Sequence, residues 1–217
     1  MVVDLQSLYA LPSDRHQREV HTLNRLIYSL LFYTLIPFVI LRLLWRSRRE
    51  PLYRQTFGQR FGFCEPVRQN DLVWLHSVSA GETNAAAPLV SRLLDLGRPV
   101  LITTMTPTGR QRVRSLFGDR VIHYYAPYDL PGAVVRFLGN IGPATLILVD
   151  TELWPNMIHY ANRSGVRTVV INARMSEKSA RGYARVPRLT RAMMNEIDVV
   201  AVQSAIHGER FCALGLP

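Results

Sequence analysis

The stretch Leu72-Val-Trp-Leu-His-Ser-Val-Ser-Ala-Gly-Glu82 places an acidic residue directly behind a short apolar run. Thr145-Leu-Ile-Leu-Val-Asp-Thr-Glu152 repeats this arrangement further along the chain. Short apolar runs bounded by turn residues are typical of strands that are buried in a parallel sheet. Such sheets bind their ligands at the carboxyl ends of the strands, where both glutamates are expected to lie. The two stretches therefore indicate an α/β fold with a candidate ligand crevice.

Strand-like and helix-like segments alternate regularly along the rest of the chain. Strands are predicted at 71–78, 100–105, 121–126, 145–150, 167–172 and 198–203. Helices with one apolar face are predicted at 85–96, 107–117 and 131–138. This alternation favours a Rossmann-like parallel sheet that is covered by helices on both faces. In the common strand order 3-2-1-4-5-6 the first and fourth strands are neighbours, so Glu82 and Glu152 are expected to face one cleft.

An apolar segment near the N-terminus is long enough to bind a membrane. Residues 26–41 are almost wholly apolar, and a membrane-spanning helix needs about 20 such residues. The segment reaches that length only if Arg42 extends its guanidinium group to the interface. We therefore predict a membrane-anchor helix at 23–46, while an interfacial amphipathic helix and a buried core helix remain alternatives.

The chain divides around this helix. Residues 1–22 are polar and are predicted to form a flexible extension, 47–70 a basic juxtamembrane linker, and 71–217 the Rossmann-like domain. Arginines are denser downstream of the apolar run than upstream, and the positive-inside rule then places the domain in the cytoplasm. The basic stretch from Arg46 to Arg60 is expected to lie at an anionic lipid surface.

The composition is basic without pointing to one partner. The 217 residues carry a net charge of +10, and Lys178 is the only lysine, so nearly all of the positive charge is arginine. Arginine binds phosphate and carboxylate groups through two donors at once. Nucleic acid is not an expected partner, because the sequence lacks the aromatic and basic motifs of nucleic-acid-binding modules.

Several kinds of site are disfavoured by the motifs. The turn after the first strand, Val78-Ser-Ala-Gly-Glu82, has none of the glycine patterns of dinucleotide sites, P-loops or nucleophile elbows. The two cysteines and six histidines have no metal-ligand spacing, so a metal site is not expected.

Purely structural roles remain open for the candidate residues. Ser79-x-x-Glu82 has the spacing of a capping box, in which Glu82 accepts a hydrogen bond from the Ser79 backbone N–H. Glu152 suits the start of a helix, where the helix dipole favours an acid. Arg174 and Lys178 fit a solvated basic face equally well.

A family resemblance is carried by several short motifs in a fixed order. They are Arg42-Leu-Leu-Trp-Arg46, Gln59-Arg-Phe-Gly62, Trp74-Leu-His-Ser-Val-Ser-Ala-Gly-Glu82, Thr103-Thr-Met-Thr-Pro-Thr-Gly109, Tyr125-Ala-Pro-Tyr-Asp-Leu-Pro131, Thr151-Glu-Leu-Trp-Pro155 and Asn172-Ala-Arg-Met-Ser-Glu-Lys-Ser-Ala-Arg-Gly-Tyr183. Each motif alone is modest, but together they closely resemble the 3-deoxy-D-manno-octulosonic acid (Kdo) transferases of Gram-negative bacteria. The resemblance runs from about Leu23 to the last residue.

The resemblance implies the N-terminal, acceptor-binding domain of a GT-B glycosyltransferase, preceded by a membrane-anchor helix. Such enzymes transfer Kdo from CMP-Kdo to the lipid A precursor (lipid IVA) at the cytoplasmic face of the inner membrane, with inversion at the sugar carbon. It implies that Glu82 is the general base and that Glu152 supports the transition state. Substrate-binding residues are expected in the same motifs at Ser79, Gly81, Thr106, Thr108, Gly109, Arg174, Ser176 and Lys178. No metal or other cofactor is implied.

The chain departs from the family pattern at its end. It stops at Pro217, soon after the sixth predicted strand, so the donor-binding half that holds CMP is expected to be missing. We therefore expect this polypeptide to be inactive alone. A non-catalytic, membrane-anchored module that binds anionic lipid remains the alternative function.

Overall fold

Six parallel strands form one sheet in a computed structural model that describes residues 15–48 and 56–217. The strands are β1 (Val73–His76), β2 (Val100–Thr104), β3 (Ile122–Tyr125), β4 (Thr145–Val149), β5 (Arg167–Ala173) and β6 (Val199–Val202). They form at the predicted places, and most are shorter than predicted by one or two residues at an end. Their order is β3-β2-β1-β4-β5-β6, which confirms the predicted order and makes β1 and β4 neighbours.

Helices connect and cover the strands. They are α1 (Arg15–Ser47), α2 (Ala80–Asp95), α3 (Pro107–Phe117), α4 (Pro131–Ile141), α5 (Pro155–Arg163), α6 (Glu177–Ala184), α7 (Pro187–Met194) and α8 (Ala205–Ala213). The bounds of α3 are those predicted, because the Thr106 hydroxyl accepts the Gly109 N–H at 3.1 Å and Pro107 occupies the first helical position. Helix α2 begins five residues earlier than predicted, since Ser79 caps it in the same way.

Apolar side chains fill both faces of the sheet. On one face Trp74 packs against Phe137 of α4, with ring centroids 5.0 Å apart. On the other face Leu75 belongs to a separate cluster that includes Val90 of α2 and Val113 of α3. Burial on both sides explains why the central strands β1, β2 and β4 are mostly apolar and do not alternate with exposed polar residues.

Helix α1 begins at Arg15, eight residues before the predicted start of the anchor and within the segment predicted to be flexible. No glycine or proline interrupts the stretch from Arg15 to the apolar run, which is compatible with one continuous helix. The segment Asn24–Arg42 is long and apolar enough to cross a membrane by length and composition. Its outward side exposes large apolar residues, among them Leu30, Phe38 and Leu41.

Polar side chains attach the middle of α1 to the domain. The Tyr28 hydroxyl donates a hydrogen bond to Asp129 Oδ2 at 3.0 Å. The Ser29 hydroxyl and the Asn156 side-chain amide exchange two hydrogen bonds of 3.3 and 3.1 Å, and both groups are buried. Helix α1 packs against α5, which carries Asn156, and also against α7.

The chain returns to the domain soon after α1, in a 3₁₀ turn at Phe57–Phe61 that packs against α4 and β3. The Arg60 side chain is buried, donates to the Met105 carbonyl oxygen at 3.0 Å and lies over the Tyr125 ring at 4.5 Å. The prediction that Arg60 lies at a lipid surface is therefore wrong, because a carbonyl oxygen and an aromatic face hold its charge inside the protein. The other predicted lipid-facing arginines in 49–55 lie outside the described residues.

Gln59 and Gly62 hold this turn in place. The Gln59 side-chain oxygen accepts the Tyr125 N–H at 2.9 Å. Gly62 has a φ of +83°, and any side chain there would collide with the Ala133 carbonyl group of α4. The Gln59-Arg-Phe-Gly62 motif thus has a structural function, which is to join the segment after α1 to the domain.

Candidate functional site

The loops after β1 and β4 lie side by side at the carboxyl edge of the sheet. Glu82 follows β1 on the first turn of α2, and Glu152 follows β4. The negative charge of Glu82 is close enough to contribute to a raised pKa of Glu152. Strand order and local loops therefore bring both predicted acids to the same edge of the sheet, within electrostatic range of each other.

Glu82 is half-buried and accepts two hydrogen bonds. Its Oε1 accepts the Ser79 hydroxyl proton and its Oε2 the Val78 N–H, both at 2.7 Å. The Ser79 oxygen in turn accepts the Glu82 N–H at 3.3 Å. The predicted capping box is thus present in a modified form. The Glu82 carboxylate accepts the backbone N–H of Val78, so the prediction that it accepts the N–H of Ser79 is wrong. Because a carboxylate has about four lone-pair positions, two such bonds leave acceptor capacity for a substrate proton.

Glu152 is held by the indole group two residues further on. Trp154 Nε1 donates to Glu152 Oε2 at 2.8 Å, while its ring packs edge-on against His76 at 4.7 Å. Burial raises the pKa of Glu152, and repulsion from Glu82 and Asp150 raises it further, against the lowering effect of the indole hydrogen bond. This carboxyl group therefore ionises at a higher pH than an ordinary glutamate.

Arg174 is paired with Asp150 and lies within electrostatic range of Glu82. Arg174 Nε donates to Asp150 Oδ1 at 3.2 Å, and Nη2 forms an ion pair with Oδ2. Asp150 has a φ of 66°, a turn conformation that ends β4. The hydrogen bond and charge of Asp150 raise the pKa of Arg174, and Glu82 contributes in the same direction. Arg174 is exposed yet positioned by Asp150, so it is more than a member of a solvated basic face.

The loop after β2 carries three predicted substrate-binding residues with clear local contacts. Thr106 caps α3 as described above, and the Thr108 hydroxyl donates to the Thr106 oxygen at 3.2 Å. A side chain on Gly109 would lie 3.1 Å from Thr104 and from the Thr106 hydroxyl, which is tighter than usual. These contacts account for the turn itself, and binding of substrate by the three residues stays a prediction.

The remaining predicted ligands lie on the first turns of α2 and α6. Gly81 is exposed, and a side chain there would meet nothing closer than the Ser79 hydroxyl at 3.8 Å. The Ser176 hydroxyl accepts the Ser179 N–H at 3.0 Å and caps α6, next to an exposed Lys178. The contacts of the described residues do not join Ser176 or Lys178 to either glutamate, and their role also stays a prediction.

Two aromatic residues at the site were not predicted. Burial raises the pKa of Tyr183 on α6, and the charge of Glu152 adds to this effect, so its hydroxyl group lies near that acid. His76 is fully buried behind Trp154 and bonds to Thr103 through Nδ1 at 2.9 Å. Burial lowers the pKa of His76 to about 3, which keeps the ring neutral. Both residues lie in the quoted motifs, but nothing in their spacing distinguishes them from core aromatics.

Within residues 15–48 and 56–217, no group of three or more histidine, cysteine, aspartate or glutamate side chains is arranged to hold a metal ion.

We predict that Trp154→Phe raises the pKa of Glu152. The phenyl ring keeps the apolar packing but cannot donate to the carboxylate, and a lost donor to the charged form favours the neutral one. Titration of labelled glutamate carboxyl carbons by NMR measures the shift. The pKa of Glu152 in the folded protein lies above the ordinary value of about 4.5, so the free energy of unfolding falls as pH rises from that value through the folded pKa. In the variant this fall should extend to higher pH. Trp45→Phe, in the exposed part of α1, is the control, and equal titration in both variants would contradict the assignment.

The chain was compared with known proteins. A family profile described as 3-Deoxy-D-manno-octulosonic-acid transferase (kdotransferase) matches residues 55–217. The chain is 37% identical over 201 residues to the 3-deoxy-D-manno-octulosonic acid transferase of Haemophilus influenzae, covering 89% of the chain and 46% of that protein. Against the Bordetella pertussis transferase the identity is 36%, covering 89% of the chain and 47% of that protein.

A plant protein is also similar. The probable mitochondrial 3-deoxy-D-manno-octulosonic acid transferase of Arabidopsis thaliana is 32% identical, over 88% of the chain and 44% of that protein. The chain thus spans about half the length of the curated relatives it matches. The profile match and these identities show that the chain belongs to the 3-deoxy-D-manno-octulosonic acid transferase family.

Proposed function

We propose that this chain is the acceptor-binding half of a glycosyltransferase that moves Kdo from CMP-Kdo onto the lipid A precursor in lipopolysaccharide biosynthesis. The observation that carries the proposal is the pair of Glu82 and Glu152 at the carboxyl edge of adjacent strands, in a member of this family. Acids at this edge are placed where open α/β sheets bind ligands. No metal is part of the proposal.

Glu82 is the proposed general base. Its remaining lone pairs accept the proton of the acceptor hydroxyl while that oxygen bonds to the anomeric carbon of Kdo. The bond from that carbon to the CMP phosphate oxygen breaks, and CMP leaves with the electron pair. Attack from the face opposite to CMP inverts the carbon. The position of Glu82 on the first turn of α2 suits its charge, because a helix N-terminus stabilises an anion.

Glu152 and Arg174 are proposed to support this step. Positive charge develops at the sugar carbon during glycosyl transfer, and the nearby Glu152 carboxylate stabilises it. The contacts of Arg174 with Asp150 use Nε and Nη2, which leaves Nη1 for an anionic group of a substrate. The phosphate of the acceptor and the carboxylate of Kdo are both suitable partners.

A GT-B enzyme completes its cleft with a second Rossmann-like domain, which we propose as the source of the CMP site. The test supplies that donor-binding half in the same polypeptide or by co-expression, together with CMP-Kdo and lipid IVA. Transfer is expected only with both halves, and NMR of the product should show an inverted linkage. If no transfer occurs and the chain binds tightly to anionic vesicles, the result would instead support a non-catalytic lipid-binding module. The exposed apolar side of α1 is compatible with that alternative as well.

We further propose that α1 binds the cytoplasmic side of the inner membrane without crossing it. Tyr28 and Ser29, near the middle of α1, contact the domain, and so does the returning turn at Phe57–Phe61. From Ser29 to Ser47 the helix is about 27 Å long, less than the roughly 30 Å of a hydrocarbon core. A crossing would also need a non-helical return through lipid, where unpaired backbone groups are not tolerated. A helix that lies in the membrane interface allows both Tyr28 with Ser29 and the turn at Phe57–Phe61 to contact the domain on the same side of the membrane.

Cysteine labelling tests this topology. In sealed, uniformly oriented vesicles, a membrane-impermeant maleimide should react with a cysteine at Arg48→Cys from the same side as with the natural, exposed Cys212. Two single-cysteine proteins are compared: one keeps only Cys212, and the other carries only Arg48→Cys. The remaining natural cysteines are replaced by serine in each. Labelling of position 48 from the opposite side only would show that α1 crosses the membrane.

A further inference from the structure

A largely apolar cavity of about 540 Å³ lies between α1, the start of α5 and the junction of α6 with α7. Its walls include Ile27 and Leu31 of α1, Leu153 before α5, and Val186 and Met193 at α7. The volume lies in the range of about 300–1,000 Å³ that is usual for small-molecule sites. The cavity is therefore large enough for a ligand, and its lining suits an apolar one.

One end of the cavity reaches the candidate active site. Leu153 lines the cavity and directly follows Glu152. Tyr183 also lines it, and the charge of Glu152 acts on the Tyr183 hydroxyl group. An apolar group in the cavity thus ends close to Glu152, so a polar group attached to it can lie beside that acid.

The cavity borders the side of the molecule that suits a membrane. Leu30 and Leu31 are neighbours on α1, both more than half exposed, and only Leu31 lines the cavity. Arg185 and Arg188 also line it, are exposed, and form no ion pair with a described residue. Apolar walls with two arginines at the solvent boundary match a lipid whose headgroup carries phosphate.

We propose that the cavity binds one acyl chain of the phosphorylated lipid acceptor, with Arg185 and Arg188 contacting the phosphate of its headgroup. This proposal rests on the proposed function, and it adds how the acceptor is selected from the bilayer. A chain held in the cavity leaves the sugar headgroup beside Glu152, while the chain itself never leaves an apolar environment. The occupant is the acceptor itself, because bulk phospholipid lacks a sugar to reach the acids.

Photo-crosslinking tests the proposal on the 217-residue chain in neutral phosphatidylcholine vesicles. The probe is a phosphorylated, diacylated glucosamine with a diazirine within one acyl chain. Cross-links are expected on Leu31, Val186 or Met193, and an excess of the same lipid without diazirine should suppress them. Phosphatidylglycerol, which has acyl chains and phosphate without the amino sugar, should suppress them at least tenfold less effectively. Equal suppression by phosphatidylglycerol would show a general phospholipid site and overturn the proposal.

Matched variants separate the cavity from the membrane surface. Leu31→Trp fills part of the cavity and should weaken probe binding about tenfold, which is the effect of excluding roughly two methylene groups of the acyl chain. Leu30→Trp is the control, because it places the same large apolar side chain on α1 outside the cavity. Val186→Trp and Val135→Trp form a second pair. The two valines are equally exposed, at 50% and 49%, but only Val186 lines the cavity. Circular dichroism checks that all four fold. Equal binding within both pairs, or cross-links confined to the outward side of α1, would overturn the proposal.

The outcome is independent of catalysis, because no donor is present. If Glu82→Gln abolishes transfer while the cross-links miss the cavity, the proposed function stands and the acyl site fails. If the cross-links fall in the cavity while Glu82→Gln transfers normally, the acyl site stands and the base assignment fails.

Discussion

Glu82→Gln is expected to lower the rate of Kdo transfer by about 10²- to 10⁴-fold, the usual contribution of a general base. Glutamine has nearly the shape of glutamate, and its amide oxygen can still accept the Val78 N–H or the Ser79 hydroxyl proton. It cannot take a proton from the acceptor. Transfer assays with the donor-binding half supplied give the rate, and urea unfolding gives the stability of the same variant.

Ser79→Ala is the matched control, because it removes the cap of α2 without removing the acid. Loss of an N-cap destabilises a protein by about 1 kcal/mol. We therefore expect Ser79→Ala to lower stability by about this amount, and Glu82→Gln, which keeps the Ser79 hydroxyl, to change rate more than stability. Normal transfer by Glu82→Gln would leave Glu82 with the capping function only.

Asp129→Ala is expected to destabilise the domain by about 2 to 3 kcal/mol at neutral pH. Asp129 accepts the Asn156 and Met157 N–H groups at the start of α5, at 3.0 and 2.7 Å, together with the Tyr28 hydroxyl proton. Alanine leaves three buried donors without this acceptor, and each unsatisfied donor costs about 1–3 kcal/mol. Removal of a buried charge offsets part of the loss.

The pH dependence gives this prediction a second measurement. Burial raises the pKa of Asp129 from 3.8 to about 6. The folded protein then holds more protons than the unfolded chain between these values, so stability falls as pH rises from about 4 to 6 and is level above. Asp129→Ala should lack this slope. Asp95→Ala, on an exposed aspartate at the end of α2, should stay within about 0.5 kcal/mol, and equal unfolding of the two variants would contradict the assignment.

Local pattern was sufficient to predict the sheet and the position of the two acids. The apolar runs ending at Glu82 and Glu152 indicated strands buried on both faces, and one general rule of strand order placed them together. Thr106 with Pro107 indicated where α3 begins, because capping depends on neighbours in the sequence.

Contacts between distant residues were not predictable in this way. Tyr28 is 101 residues from Asp129, and Ser29 is 127 residues from Asn156, so no spacing rule relates them. Arg60 looked like one more basic residue of a juxtamembrane segment, since only the folded protein shows the Tyr125 ring and the Met105 carbonyl group around it.

The attachment of α1 at two places limits how the domain can move relative to a lipid surface. Side chains near its middle bond to Asp129 and Asn156, and the chain beyond it docks through Gln59 and Gly62. A domain held at the middle of α1 and again beyond the end of this helix cannot swing on a flexible tether. Wherever α1 binds a bilayer, the height and tilt of the crevice above the lipids are set, and the search for a substrate is reduced from three dimensions to lateral diffusion in a plane. Geometry alone then raises the effective concentration of a lipid partner.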